Sequence, residues 1–323
     1  MTESERKPGE SLYLGVDCGG TSLRVAAADS SGRIVAEAQA PTLDASEREN
    51  GLGEAILAAV RGLASSLPGG SSALRGIGVG LPFVCHDGRI WLNRNVRALD
   101  PGALEASLSS SFGAPVALLN DVKCAALGES WLGAARGAEN FIFVNVGTGL
   151  AAAVFAEGRL LMGAHGAAGE IGYWLTGADD AEALDAGLGP LEEAASGVGI
   201  ASSYAKTPGE EGEKRRPSAE ALSAEEVFRR AREGEPKARV VVERGLAYLL
   251  PALANLATLA DPELLVLGGG VSQSLREYEG LIIDLVGRAT PFPPRVAFSS
   301  LGKRAGLVGA LRLGIMAASG SMR

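Results

Sequence analysis

Asp17 stands two residues before a glycine–glycine–threonine turn, Gly19, Gly20 and Thr21, in the stretch GVDCGGT. Glycine-rich turns leave backbone N–H groups bare and suit anions such as phosphate. An acid at the edge of such a turn needs its own explanation. A second turn of the same kind, Gly147–Thr148–Gly149, follows the apolar run NFIFVNV. Asn120 and Asp121 sit where an apolar strand, PVALL, gives way to a helix. Gly268, Gly269 and Gly270 close the run DPELLVL, and Glu170 lies among small residues in HGAAGEIG. Small neighbours let backbone and ligand approach closely. Each residue also has an ordinary reading. Asp17 can cap a turn N–H, Asp121 can cap the helix after it, and three glycines can simply end a strand.

These residues need elements to hold them. Residues 12–16 and 23–28 read as two short strands about the first turn, DSSG at 29–32 as a second turn, and RIVAEAQAP as a third strand. Apolar residues at 52, 55, 56, 59, 60 and 63 have helical spacing. LRGIGVGLPF reads as a buried strand, then comes the loop NRNVRALDP, a helix near 101–112 and the strand PVALL. The pattern then restarts: NFIFVNVGTGLAAAVFAEGRLL is again strand, Gly/Thr turn, strand, tight turn, strand. Two copies of one opening unit imply a duplicated architecture, with the two turns facing one shared ligand across a cleft. The boundary falls near Leu119–Asn120. A polar excursion spans 203–224, and a mostly helical stretch spans 224–260, with a kink or break expected at Pro251. GLVGALRLGIMAA reads as an apolar helix of the kind that packs back on a first domain.

The 323 residues are 46% hydrophobic, enough for one large or two ordinary cores. Formal net charge is −8, and no basic stripe marks a nucleic-acid face. The cluster KRRP follows GEEGE and reads as a solvated loop. Cys18, Cys85 and Cys124 are scattered without metal-ligand spacing, as in reduced cytosolic proteins. No apolar run reaches membrane-spanning length, and MTESERKPGE lacks an export signal's apolar core. A cytoplasmic protein with neither a nucleic-acid nor a membrane partner is expected.

Four stretches together, GVDCGGT, LLNDVKCAALGE, VNVGTG…GRLLMGAHGAAGEIG and DPELLVLGGGV, resemble the ROK family of sugar kinases and repressors, from about Leu12 to Ala318. The resemblance implies an α/β fold of two actin-like (ribonuclease H-like) domains, each a mixed sheet flanked by helices, around a central cleft. The small domain would span 11–119, with the helix in 306–323 packing back on it, and the large one 120–305. It implies transfer of the ATP γ-phosphate to a hexose hydroxyl, with glucose as default and an N-acetylhexosamine as runner-up. Gly19, Gly20, Thr21, Gly147, Thr148 and Gly149 would hold phosphates. Asp17 would hold Mg²⁺ through its waters, which answers why an acid borders the turn. Gly268, Gly269 and Gly270 would lie against the adenosine. Asp121 would be the general base. Asn120, Glu170, Glu192 and Asn95 would contact the sugar. Asn93 competes with Asn95, and Glu192 is balanced against a solvated helix-face charge, with Glu193 adjacent. A homodimer is expected on resemblance alone.

The chain departs from the family in one region. Many members hold a structural zinc with a His after GEIG and three cysteines. Here Tyr173 takes the His position, and LTGADDAEALDAGLGPLEEAASG contains no cysteine, with Pro190 where the last ligand would stand. No soft ligand set is left for zinc. Tyr173 either replaces a sugar contact or packs with Trp174, and His165 reads as a turn residue. Three other functions compete. A sugar-sensing repressor carries an N-terminal DNA-binding segment, and eleven residues precede the first strand here. An enzyme-activating ATPase needs cluster-ligating cysteines. A sugar-binding pseudokinase is a further alternative, although Asp17 and Asp121 are both present.

Overall fold

The computed structural model describes residues 11–19, 22–41, 51–67, 69–86, 89–91, 99–177, 180, 188–208 and 222–321. The chain divides into two compact units. The first comprises Met1–Arg136, Met162–Ala167 and Arg304–Arg323; the second comprises Gly137–Leu161 and Ala168–Lys303.

The first unit opens with strands β1 (Leu12–Cys18), β2 (Ser22–Ala28) and β3 (Ile34–Pro41). Helix α1 (Gly51–Ser66), strand β4 (Leu74–Leu81) and a short hairpin, β5 (Val84–His86) and β6 (Arg89–Trp91), follow. Then come α2 (Pro101–Phe112), β7 (Val116–Asn120) and α3 (Asp121–Leu132). Helix α2 shows why such elements start and stop where they do. Asp100 caps it by accepting from Ala103 N–H, Pro101 sits in its first turn, and Gly113 ends it at φ 63°. On α1, Leu52, Ile56, Val60 and Leu63 form one buried stripe. Each such side chain contributes about 1.5–3 kcal/mol when fully buried.

The second unit holds β8 (Phe141–Val146), β9 (Leu150–Ala156), β10 (Arg159–Leu160), α4 (Pro190–Ala195) and α5 (Gly197–Lys206). It continues with α6 (Ala224–Arg232), α7 (Pro236–Ala260), β11 (Leu264–Gly268), α8 (Ser272–Leu275), α9 (Glu279–Ala289) and β12 (Arg295–Phe298). Helix α10 (Ala305–Ser319) returns to the first unit and packs on β1, β4 and α3.

The two large sheets have one topology. Their strand orders are β3-β2-β1-β4-β7 and β10-β9-β8-β11-β12. In each, the first three strands pair antiparallel and the last two join in parallel. The restart read from the sequence is therefore a repeat of the whole sheet, an α/β arrangement of two mixed sheets with helices packed on them. The core of the second unit gathers Ile142, Val144 and Leu265 of the sheet with Val241, Leu249 and Leu253 of α7.

Three expectations need correction. Residues 224–260 do break, but not at Pro251. The break falls between α6 and α7, where Gly234 has φ 96° and Pro236 begins the next helix. Pro251 lies inside α7 on an exposed position, where water can serve the carbonyl that its missing N–H leaves. Second, α7 is long and apolar enough to cross a membrane by length and composition. Its apolar residues, Val241 to Ala257, are spent on the core of the second unit. Third, the N-cap position of α3 is held by Asn120, whose side chain accepts from the N–H groups of Val122 at 3.0 Å and Lys123 at 3.2 Å, while Asp121, the first helical residue, also accepts from Val122 N–H at 2.8 Å. Residues 209–221, most of the expected polar excursion, lie outside the described residues.

Candidate functional site

Backbone-to-backbone packing sets the site in the first unit. Helix α10 lies directly on β1, β4 and α3 because the contact points are glycines. A Cβ at Gly78 would lie 2.1 Å from the Ala310 carbonyl oxygen, and one at Gly309 would lie 1.6 Å from that of Cys124. No larger residue fits such approaches. This packing brings the start of α10 against Asp17, at the end of β1, where Gly306 is the residue in contact. Antiparallel register places Arg24 opposite Asp17. Burial raises the Asp17 carboxyl above its ordinary range, and the Arg24 guanidinium works against that rise.

Asp121 is half-buried at the first position of α3, where the helix dipole favours an acid. Asn120 beside it spends its side-chain oxygen on the cap, which leaves its NH₂ as a donor. Two fully buried thiols lie within the electrostatic range of both acids. Burial pushes Cys18 and Cys124 well above the usual thiol value, and the charges of Asp17 and Asp121 push each further. The fold therefore gathers Asp17, Asn120 and Asp121 in the first unit. Gly19 follows β1, and its N–H donates to the Ser22 carbonyl at 3.0 Å. Gly20, Thr21, Asn93 and Asn95 lie outside the described residues.

The other candidates gather in the second unit. The Gly147–Thr148–Gly149 turn is held from one side by the α4–α5 hairpin. Gly197 N–H donates to the Gly147 carbonyl at 2.7 Å and Val198 N–H to the Thr148 carbonyl at 3.2 Å. In a trans peptide the C=O and N–H point opposite ways. Fixing those two carbonyls therefore turns the N–H groups of the same two peptides, those of Thr148 and Gly149, away from the hairpin. The triple-glycine loop lies beside this turn: a Cβ at Gly147 would lie 3.6 Å from Gly270 N, and one at Gly269 would lie 2.5 Å from the Val146 carbonyl oxygen. Gly269 has φ 89°, a conformation that favours glycine.

Glu192 and Glu193 face different surroundings. It is half-buried, and its Oε1 accepts from Leu150 N–H at 3.3 Å. Glu193 is exposed and pairs with Lys206 at 3.6 Å, so Glu193 is the solvated charge. Glu170 precedes a single helical turn, Ile171–Tyr173, that Tyr173 ends, and both residues are half-buried. Gly172 in that turn packs against Glu192, and the Trp174 carbonyl accepts from Leu191 N–H at 3.2 Å. His165 is exposed. Among the described residues, no group of three His, Cys, Asp or Glu side chains is arranged to hold a metal ion. Residues 178–179 and 181–187, in the stretch compared above with the family's zinc segment, lie outside the described residues.

Sequence reasoning missed three contributors. Arg24 and Gly306 become neighbours of Asp17 only through strand register and helix packing. The third is a groove of about 490 Å³ lined by Ser223, Glu225, Arg229, Gln273 and Ser274. It borders the triple-glycine loop, since a Cβ at Gly270 would meet Glu225 Oε1 at 3.1 Å. No spacing signal links α6 to α8 in the sequence. A cavity of about 530 Å³ behind α4, on the Glu193 side, is lined by none of the candidate residues.

Residues 13–316 match the model of the ROK family. The chain belongs to the ROK family. Among ROK relatives, it is 33% identical over 315 residues to a glucokinase of Halalkalibacterium halodurans, covering 92% of this chain and 93% of that protein. It is 29% identical over 308 residues to an N-acetyl-D-glucosamine kinase of Pectobacterium atrosepticum, covering 94% and 99%. Its structure is similar to that of a ROK family glucokinase from Streptomyces griseus in complex with glucose and AMPPNP. The TM-score is 0.72 at 27% identity, covering 95% of this chain and 100% of that one.

Proposed function

We propose that this ROK protein is an ATP-dependent sugar kinase that phosphorylates a hexose hydroxyl, with glucose as the substrate. One observation carries the reading. The Gly147–Thr148–Gly149 turn, clamped through two of its carbonyls, lies beside a glycine loop and an open groove. That combination suits a nucleotide, with phosphates on the turn and adenosine along Gly268–Gly270 toward Gln273 and Glu225. Likeness to the glucokinases of H. halodurans and S. griseus supports the choice of sugar.

The roles of the other residues follow from their chemistry. Gly19, Gly20 and Thr21 make the second phosphate-holding turn. Asp17 fits Mg²⁺, because the cation takes oxygen ligands while keeping several waters and would relieve a half-buried carboxylate. When bound, Mg²⁺ neutralises charge on the phosphates. Asn120, Asn95, Glu170, Tyr173 and Glu192 hold and orient the sugar. Asp121 accepts the proton as the sugar oxygen bonds to the γ-phosphorus and the bond from that phosphorus to the ADP oxygen breaks. The protein works as a cytoplasmic homodimer without nucleic acid, membrane or zinc.

The test is ADP release by purified protein with MgATP and, in turn, glucose, N-acetylglucosamine and N-acetylmannosamine. Glucose-dependent ADP is expected. ADP without sugar would point to an activating ATPase, and sugar binding without turnover to a sensor or pseudokinase. A second reading, an N-acetylhexosamine kinase, is favoured by Tyr173 in place of the family His and by likeness to the P. atrosepticum enzyme. Preference for an acetylated sugar in the same panel would select it.

A further inference from the structure

The carboxylate assigned to the sugar is also bonded to the turn assigned to the phosphates. Glu192 Oε1 accepts from Leu150 N–H at 3.3 Å, and Leu150 is the next residue after the Gly147–Thr148–Gly149 turn. Contact continues into the turn: a Cβ at Gly149 would lie 2.5 Å from Glu192 Oε1. On its other side Glu192 meets the turn that carries Glu170 and Tyr173, where a Cβ at Gly172 would lie 3.1 Å from Glu192 Cβ. Two further restraints on the phosphate turn come from α5. Gly197 N–H and Val198 N–H hold the turn's first two carbonyls. Ser196, fully buried, ties that junction by accepting from Gly199 N–H at 3.1 Å. Gly147, Thr148 and Leu150 are thus held by one short stretch, 192–198, and two of the three restraints are backbone bonds of fixed geometry. The Glu192 bond is the one that a ligand can alter, because a carboxylate has about four acceptor sites and shares them between the protein and whatever binds it.

We infer that Glu192 is a positioning residue that couples sugar occupancy to the affinity of the phosphate turn. This inference rests on the sugar-kinase reading above. A sugar hydroxyl donating to Glu192 fixes the carboxylate. The fixed carboxylate holds Leu150 N–H, and the Thr148 and Gly149 N–H groups are then ordered before the nucleotide arrives. Ordering cost already met by the sugar is not charged again to the nucleotide, which is positive coupling between the two sites. By linkage, nucleotide raises sugar affinity by the same factor.

The experiment measures binding of the magnesium complex of a non-hydrolysable ATP analogue by calorimetry. Wild type and Glu192→Gln are compared without sugar and with the turned-over sugar at ten times its measured Kd for each protein. Sugar should raise wild-type nucleotide affinity by about 5–20-fold, within the usual range of coupling between sites. In Glu192→Gln the enhancement should fall below about twofold, while affinity without sugar changes by less than about threefold. An equal enhancement in both proteins overturns the inference. So does an equal loss with and without sugar, which is what a merely structural role produces. Hydrogen exchange in wild type keeps the test independent of the variant's folding. Sugar alone should slow exchange of the amides in 147–156, and unchanged exchange overturns the coupling. If no sugar in the panel supports turnover, the kinase reading itself falls; if turnover is normal and coupling is absent, only Glu192's role falls.

Discussion

Asp17 and Gly306 leave no room between them: a Cβ on Gly306 would lie 2.6 Å from Asp17 Oδ1. The start of α10 is thus pressed against the acid assigned to the cation. Gly306→Ala must push that carboxylate aside. Because a misplacement near 1 Å costs about 10²-fold, kcat/KM for MgATP should fall on the order of 10²-fold. Sugar affinity measured without nucleotide should stay near normal. Unchanged MgATP kinetics would remove Asp17 from its role.

The Asp17 carboxyl also makes a prediction about stability. Its folded pKa is raised, by burial and against the opposing charge of Arg24. For a raised acid the native state holds its proton more readily than the unfolded state, so ionisation costs stability as pH rises. Asp17→Asn should therefore melt higher than wild type at pH 7, by about 2–4 °C per kcal/mol gained. The gap should shrink as pH falls below the raised pKa. A variant that melts lower than wild type at pH 7 would contradict this balance.

Asp121→Asn removes the proposed proton acceptor while keeping its shape. Turnover should fall by about 10²–10⁴-fold, with sugar affinity largely kept. Steady-state kinetics and sugar titration in the same preparation check both halves. Near-normal turnover would dismiss Asp121 as the base.

Asp29 gives a prediction free of any functional assumption. Its carboxylate accepts from Ser31 N–H, the Ser31 hydroxyl, Arg33 N–H and Arg33 Nε, at 2.6–3.1 Å, in the turn from β2 to β3. Burial alone would raise its pKa, but these bonds outweigh it and hold the value at about 2. For a lowered acid the stabilisation is full above the unfolded value of 3.8 and is lost as pH falls toward about 2. That shift corresponds to roughly 2 kcal/mol. Asp29→Ala should lose about that much at pH 7 in urea melts, with a smaller loss at pH 2.5. An equal loss at both pH values would rule out the charge as its source.

Some of this molecule can be read along one line of letters and some cannot. The repeated strand–turn–strand pattern at Leu12 and again at Phe141 was visible because each apolar run ends in Gly and Thr, and the two sheets share one order of strands. Helix α1 was visible in its buried stripe. The position of the helix break was not. Pro251 is a stronger local signal than Gly234, yet a helix surface facing water tolerates proline. The cap on α3 is shared in a way that spacing does not show: Asn120, with its extended backbone at φ −61° and ψ 144°, holds the N-cap position, and Asp121 also accepts from Val122 N–H. Glu192 and Glu193 could not be separated by spacing, since direction depends on which face of α4 meets Gly149. Arg24 and Gly306 reach Asp17 through pairing and packing, which no local motif encodes.

Helix α10 has a consequence for synthesis. It covers Ala26 and Ala28 of the first sheet with Leu307 and Leu311, yet it is translated about 140 residues after Met162–Ala167, the last other segment of that unit, a delay on the order of 10 s at ordinary elongation rates. During that interval the first sheet waits on the ribosome with one apolar face wet. The nascent chain is then a natural client for a chaperone, and slowing translation between 137 and 303 should increase its tendency to aggregate.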